Sequence, residues 1–166
     1  MNSVATWFGI DIRNPNRIVK TSWDLLRGNR AGRYLFGCIV GIAAPYSGNI
    51  GATILELREG YARVAIKDRH KLRNHLKSIH AIALANLAEY TANIALAYSI
   101  PSSARFIVTR MSSEYLKKAR GKIIAECTLD ELSVAEEIEK SLRVTLTNAQ
   151  NEIVAVFTVH SLIRMS

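Results

Sequence analysis

The sequence is short of the features that mark secreted, metal-binding and membrane-spanning proteins. Its 166 residues include only two cysteines, Cys38 and Cys127, which lie too far apart for a zinc or redox motif. We therefore expect both thiols to be buried and reduced, as in a cytoplasmic protein. Apolar runs are interrupted by Asn, Glu, Gly or Pro before they reach membrane-spanning length. Residues 1–14 also lack the basic-then-apolar order of a signal peptide, so we expect neither secretion nor membrane insertion.

What the chain does have is apolar content and positive charge. Hydrophobic residues make up 49% of the sequence and charged residues 22%, which excludes intrinsic disorder and suffices for a buried core. The net charge of +8 is concentrated in residues 61–77 and 105–122, whereas residues 123–166 are acidic overall. Two basic blocks are compatible with a nucleic acid, an acidic membrane surface or a phosphate-bearing small molecule, and equally with a solvated surface.

The N-terminal part of the chain predicts helices. Residues 16–36 favour one or two short helices that are interrupted at residues 28–29. Trp23, Leu25 and Leu26 are expected to dock these helices on the rest of the protein.

A β-hairpin and a long helix are predicted next. Residues 52–60 and 61–68 indicate two short strands joined by a turn at residues 59–60. Residues 78–99 are rich in Ala and Leu and contain no Gly or Pro, which predicts a long helix. So apolar a helix is normally enclosed on most sides. We therefore expect its only charged residue, Glu89, to do more than solubilise it.

Two stripes of side chains run along this helix at helical spacing. The apolar stripe holds Leu84, Leu87, Thr91, Ile94 and Tyr98, and the second holds Asn86, Glu89, Tyr90 and Asn93.

After the long helix the chain returns to strands. Four runs rich in β-branched residues follow Pro101, with turns expected at residues 120–121 and 149–151. The order of helices, two strands, one long helix and four strands does not alternate as βαβ units do. It predicts an α+β fold in which an antiparallel sheet surrounds a helix.

The segment NHLKSIHAIALANLAE, residues 74–89, resembles the hotdog-fold thioesterases of the phenylacetate-pathway type. In those proteins an Asn precedes Gly-Thr-Val-His-Gly-Gly and a helix with a carboxylate, and Asn74, His80 and Glu89 match that spacing. The segment EYLKKARGK, residues 114–122, resembles the Tyr-Leu-x-x-Ala-x-x-Gly strand end of the same proteins.

The first hairpin carries a second resemblance. Residues 45–68 resemble the corresponding strands of a less characterised thioesterase-like subgroup, so the likeness covers about residues 45–160. It implies a single hotdog domain over residues 1–166, with a core at 45–166 and an N-terminal helical extension at 1–44. It also implies a homodimer or homotetramer in which paired protomers build the active sites.

The activity implied by the resemblance is hydrolysis of an acyl-CoA or acyl-carrier-protein thioester. Glu89 would be the general base or nucleophile, Asn74 would orient the water or Glu89, and His80 would hold the loop. The backbone N–H of Ala81, at the helix start, would stabilise the oxyanion.

Substrate binding is assigned to four further residues through the same resemblance. Lys117, Lys118 and Arg120 would contact the nucleotide phosphates of CoA. The Ser or Thr that the partner strand commonly supplies has no clear counterpart: Val108 falls nearest by spacing, and Thr109 is the adjacent hydroxyl. No cofactor is implied. His70, His75 and His160 form no metal-ligand spacing, so we predict no metal site.

The sequence also departs from the family pattern. Lys77 stands where a Gly is usual, and Ala81-Ile82 replaces Gly-Gly, which brings side chains to the point where a thioester would approach. These departures leave open a second hypothesis, a non-catalytic hotdog module that binds acyl thioesters. A nucleic-acid-binding protein is the weakest alternative, since no recognised motif accompanies the sequence pI of about 9.8.

Overall fold

The computed structural model describes residues 6–7, 10–11, 15–130 and 137–165, the first two pairs by their backbone alone. The elements in chain order are β1 (Thr6–Trp7), β2 (Ile10–Asp11), α1 (Pro15–Leu26), α2 (Arg30–Ala43), α3 (Pro45–Gly48), β3 (Thr53–Arg58), β4 (Tyr61–Ile66), α4 (Ala81–Ser99), β5 (Arg105–Tyr115), β6 (Ile123–Thr128), β7 (Glu137–Thr147) and β8 (Ile153–Arg164).

Six strands form one antiparallel sheet in the order β3-β4-β6-β7-β8-β5, and β1 pairs with β2 in a separate hairpin. The helix α4 lies against this sheet and contacts β3, β4, β6, β7 and β8. Its side chains Leu87, Ala92 and Leu96 are fully buried there. The α+β prediction is confirmed, and the arrangement is the hotdog fold, a sheet wrapped around one long helix.

The predicted turns occur where the backbone needs a left-handed residue. Gly60 joins β3 to β4 and Gly121 precedes β6, both at a φ of 71°. Asn151, between β7 and β8, has a φ of 60°, which asparagine tolerates better than most residues.

The N-terminal helices dock through α1. The Trp23 indole N–H donates to the carbonyl of Leu57 at 2.8 Å, and its ring meets that of Phe36 edge-on at 5.2 Å. The break between α1 and α2 falls at residues 27–29, as predicted. The expectation that Leu25 docks is wrong, because two residues along a helix place it nearly opposite Trp23, where 81% of it is exposed.

The two cysteines differ in their surroundings. Cys127 lies buried on β6, and burial raises its pKa to about 12. Cys38 is exposed on α2, so the prediction that both thiols are buried is wrong for this one. The reason is that α2 buries only Phe36. No described helix is long and apolar enough to cross a membrane.

Candidate active site

The loop that leads into α4 is fixed by a carboxylate. Asp68 accepts a hydrogen bond from Arg73 Nε at 2.7 Å and another from the Gly121 N–H at 3.1 Å. The Arg73 guanidinium, with help from the Gly121 bond, holds the Asp68 pKa below its usual 3.8. This carboxylate therefore ties the loop to the turn before β6.

Asn74 organises the next turn of that loop. Its Oδ1 accepts from the Leu76 N–H at 2.9 Å, the Ser78 N–H at 3.3 Å and the Ser78 hydroxyl at 3.2 Å. Its Nδ2 donates to no described residue and remains available. Lys77, in the same turn, has a φ of 54°, so the position where the family has Gly demands a left-handed backbone here too.

The start of α4 presents an unused donor. His80 is the N-cap, and its Nδ1 accepts from the Ile82 N–H at 3.1 Å. The N–H of Ala81 has no acceptor among the described residues, since the first turn of a helix has no internal partners for it. Tyr115 donates to the Ala81 carbonyl at 3.3 Å and so holds the helix start against β5.

A cavity of about 300 Å³ opens beside this helix start. It is lined by Asn74, Ser78, Ile79, Ala81, Leu84, Tyr115, Leu116, Lys117, Lys118 and Ala119. Four predicted site residues, Asn74, Ala81, Lys117 and Lys118, are thus brought together. The sequence analysis missed Tyr115 and Ser78, although Tyr115 is the Tyr of the EYLKKARGK segment that carried part of the resemblance.

The cations at this cavity are not equivalent. Lys117 Nζ pairs with Glu152 at 2.6 Å, whereas Lys118 is exposed and has no hydrogen bond or ion pair with a described residue. Arg120 does not line the cavity and donates to the Leu76 carbonyl at 3.4 Å. Lys118 is therefore the cation left free for an anionic ligand.

The carboxylate of Glu89 lies elsewhere. It is half-buried, has no partner among the described residues, and lines neither the cavity at the helix start nor three further cavities of the described residues. Eight residues of helix rise separate it from Ala81, about 12 Å. A single chain therefore does not bring Glu89 to Asn74 and Ala81.

Two other predicted residues also stand apart. Thr109 lies in a bulge of β5, and its hydroxyl donates to Glu139 Oε1 at 2.8 Å. His80 borders a separate cavity of about 350 Å³ together with Lys71, Arg73 and Asn86. Within the described ranges, no three His, Cys, Asp or Glu side chains are grouped to hold a metal.

Solved structures share this fold. A structural-genomics protein, APC5556, is 27% identical with a TM-score of 0.77, over 92% of this chain and 99% of its own. A protein of unknown function from Pseudomonas aeruginosa, described as a probable thioesterase, is 27% identical with a TM-score of 0.68, over 74% of this chain and 88% of its own. A thioesterase from Haemophilus influenzae is 13% identical with a TM-score of 0.64, over 72% of this chain and 82% of its own.

The sheet, the long helix and these similarities place the protein in the hotdog-fold, thioesterase-like superfamily, which confirms the resemblance seen in the sequence. Within that class the chain belongs to the family described as a domain of unknown function, DUF4442, which matches residues 32–163. No curated protein matches the sequence significantly.

Proposed function

We propose that the protein is a thioester hydrolase that acts on an acyl-CoA or acyl-carrier-protein substrate. The observation that carries the proposal is the half-buried Glu89, an unpartnered carboxylate on a helix that has no other charge. The thioesterases among the structural neighbours support the same reaction class.

The helix start supplies donors for the reaction. Ala81 and Asn74 line one cavity. There the free N–H of Ala81 and the free Nδ2 of Asn74 would hydrogen-bond the oxygen that becomes negative when the thioester is attacked. The helix dipole adds positive potential at that point. Glu89 would take a proton from the attacking water, the C–S bond would break, and the proton would pass to the departing thiolate. Direct attack by the Glu89 carboxylate is the other form of the same mechanism.

A second copy of the chain completes this site. β5 is an edge strand of 11 residues, and its apolar side chains Ile107 and Met111 are 66% and 36% exposed. Pairing two copies along β5 about a two-fold axis would lay two α4 helices antiparallel on one face of a continuous sheet. The Glu89 of the partner subunit would then approach Ala81, which removes the separation of about 12 Å found in one chain. Thr109, also on β5, would come to the same interface.

The basic residues would hold the phosphates of the substrate. Lys118 is the free cation at the cavity, while Lys117 and Arg120 already have partners and would contribute by adding to the local positive potential.

A non-catalytic module that binds acyl thioesters is the second candidate. Ile82 stands where the family has Gly, and it is 57% exposed, so a side chain takes up space next to the helix start that a glycine would leave open. This candidate predicts acyl-CoA binding without turnover.

Replacement of the helix carboxylate tests the proposal. We expect Glu89→Gln to lower kcat for thiol release from short, long and aromatic acyl-CoAs by about a hundred- to ten-thousand-fold, the usual contribution of a general base. The control Glu59→Gln changes an exposed carboxylate in the β3–β4 turn and should leave kcat unchanged. Undiminished turnover in Glu89→Gln removes Glu89 from the mechanism, and binding without turnover by the unaltered protein supports the second candidate.

A second substitution tests the proposed oxyanion donor and the proposed sharing of the site between two chains. Proline is tolerated at the first position of a helix, and His80 already has the extended backbone that a following proline requires, with φ −64° and ψ 143°. Ala81→Pro therefore keeps the helix start but replaces the N–H by a ring carbon, and it should lower kcat at least about a hundredfold. Because Glu89 and Ala81 of one site come from different chains, mixing Ala81→Pro with Glu89→Gln should restore about a quarter of wild-type activity through heterodimers. An inactive mixture in which exchange has occurred would contradict the shared site.

A further inference from the structure

The net charge of the protein is concentrated in two short segments. Residues 67–77 and 117–122, which we call the basic patch, contain nine Lys and Arg residues and one acid, Asp68. These 17 residues account for the whole net charge of +8, and the other 149 residues are neutral in sum. So uneven a distribution concentrates the positive potential of the protein on one region of its surface.

The two segments form one continuous surface. The N–H of Asp68 donates to the Gly121 carbonyl at 3.1 Å, and the N–H of Ile79 donates to the Ala119 carbonyl at 2.8 Å. These bonds hold the loop before α4 against the loop before β6. The cations of the basic patch are therefore neighbours in space although they are distant in the sequence.

Most of these cations are free, and all nine are exposed. Arg73 pairs with Asp68 at 2.7 Å and Lys117 pairs with Glu152 at 2.6 Å, whereas the other seven have no ion pair with a described residue. The Asp68 side chain is only 9% exposed, and both of its oxygens accept hydrogen bonds. Seven unpaired cations repel one another, so a partner that brings negative charge would relieve that repulsion.

One of the free cations occupies a position that suits glycine better. The backbone of Lys77 has a φ of 54°, which disfavours a side chain. Strained positions of this kind concentrate at binding sites. The Lys77 N–H donates to the carbonyl of Asn74, which lines the cavity at the start of α4, so this cation stands at the edge of that cavity.

The position of the basic patch limits what its partner is. Asn74 of one segment and Lys117 and Lys118 of the other line the cavity at the start of α4, so a partner bound to the patch meets that cavity. The phosphates of one CoA carry only about four negative charges, which leaves much of the patch without a counter-charge. The patch contains no Phe, Tyr or Trp on which nucleic-acid bases would stack.

We propose that the basic patch docks an acidic acyl carrier protein, so that the substrate is a carrier-bound thioester rather than an acyl-CoA. This rests on the proposed function, because the thioester must enter the cavity at the start of α4. Acidic side chains of the carrier pair with Lys67, Lys77 and Lys122, and Lys118 binds the phosphate of the arm that bears the acyl group. Such complementary charges speed association and orient the carrier.

Hydrolysis of one acyl group on two carriers tests this. The substrates are octanoyl-CoA and an octanoyl group on an acyl carrier protein of bacterial fatty-acid synthesis. We expect kcat/KM to be at least about tenfold higher for the carrier-bound group, and to fall more steeply with added NaCl, since its association depends on many charges.

Charge reversal in the basic patch should affect only the larger substrate. Lys67→Glu combined with Lys122→Glu should lower kcat/KM for the carrier-bound group at least about tenfold, and for octanoyl-CoA less than about threefold, since neither residue lines the cavity. The matched control, Arg30→Glu combined with Arg143→Glu, makes the same change in net charge at exposed positions outside the patch. It should leave kcat/KM for both substrates within about twofold of the unaltered protein.

A third variant separates docking from stability. Lys77→Gly removes a cation and supplies the residue that the backbone favours, so it should fold at least as well as the unaltered protein. We expect it to lower kcat/KM for the carrier-bound group about threefold, without a change for octanoyl-CoA. It decides the question if the charge-reversed pair fails to fold.

Binding without turnover keeps this proposal apart from the hydrolase proposal. Fluorescence anisotropy of the labelled octanoyl carrier protein measures docking, and Glu89→Gln should bind it as the unaltered protein does. Binding that weakens on charge reversal, in the absence of hydrolysis, supports docking and contradicts only the hydrolase proposal. Equal kcat/KM for the two substrates, no binding of the carrier, or binding that survives charge reversal would each overturn the proposal. Tighter binding of a DNA oligonucleotide or of anionic lipid vesicles would overturn it in favour of those partners.

Discussion

The helices α2 and α4 are both rich in apolar residues, yet α4 is mostly buried and α2 is mostly exposed. α4 buries eleven of its 19 residues against the sheet and the N-terminal helices. α2 has 14 residues and buries only Phe36, while Tyr34 and Ile42 are 72% and 77% exposed. Apolar composition therefore states what a helix can bury, and the neighbouring layers decide how much it does bury.

The reactivity of the two thiols should show the largest difference between the surroundings of α2 and those of α4. Cys38 on α2 is exposed, whereas Cys127 lies in the core that α4 covers, and its pKa is raised to about 12. We expect a thiol reagent to label Cys38 at least a thousandfold faster than Cys127 at neutral pH, because Cys127 reacts only through opening of the core. Cys38→Ser leaves one slow phase as the control. Comparable rates for both thiols would show that the layer over Cys127 opens readily.

Truncation of side chains should show a smaller but direct difference in stability. Leu87 of α4 is fully buried, so Leu87→Ala should lower the free energy of unfolding by about 2–5 kcal/mol. Ile42→Ala removes a side chain of equal size from the exposed face of α2 and should change the free energy of unfolding by less than about 0.5 kcal/mol. Chemical denaturation of both variants at the same protein concentration measures the two changes. A loss of several kcal/mol in Ile42→Ala would mean that α2 is covered in the assembled protein.

A substitution in the loop before α4 should have the smallest of these effects on the free energy of unfolding. Lys77 has a left-handed backbone, which disfavours a side chain by about 1–2 kcal/mol, partly offset by the entropy that glycine loses on folding. Lys77→Gly should therefore raise the free energy of unfolding by up to about 1 kcal/mol. Lys67→Gly, at an exposed position without a positive φ, should lower it slightly. Effects of the same sign at both positions would mean that the φ of Lys77 carries no strain.

Much of the fold could be predicted because its signals are local. Alternation and β-branched runs located the six strands of the large sheet, and the run without Gly or Pro located α4. The turns at Gly60, Gly121 and Asn151 follow from residues that accept a positive φ. The exposed face of α2 could not be predicted, because its apolar pattern is that of a buried helix and only tertiary contacts show that nothing described covers it.

The candidate site was likewise predicted only in part. The family resemblance implied that Asn74 and Ala81 belong to one site, and both residues line one cavity. The sequence did not reveal that the Asn74 side-chain oxygen accepts hydrogen bonds within the loop, or that His80 Nδ1 accepts one from the Ile82 N–H. Such side-chain hydrogen bonds depend on the folded shape of the loop. Helix rise alone places Glu89 about 12 Å from the helix start, and the pairing of chains that would close this distance is implied by the family resemblance and not by any pattern of residues.

The contact between Gly41 and Gly48 has a consequence for how the protein can change. These two residues touch through their backbones, so one added methyl group on Gly48 cannot be absorbed by a side-chain movement. It would displace the short helix α3, and with it Ser47, which together with Tyr90 lines both a groove of about 500 Å³ and a cavity of about 180 Å³. One added carbon atom on Gly48 would therefore change the width of both spaces.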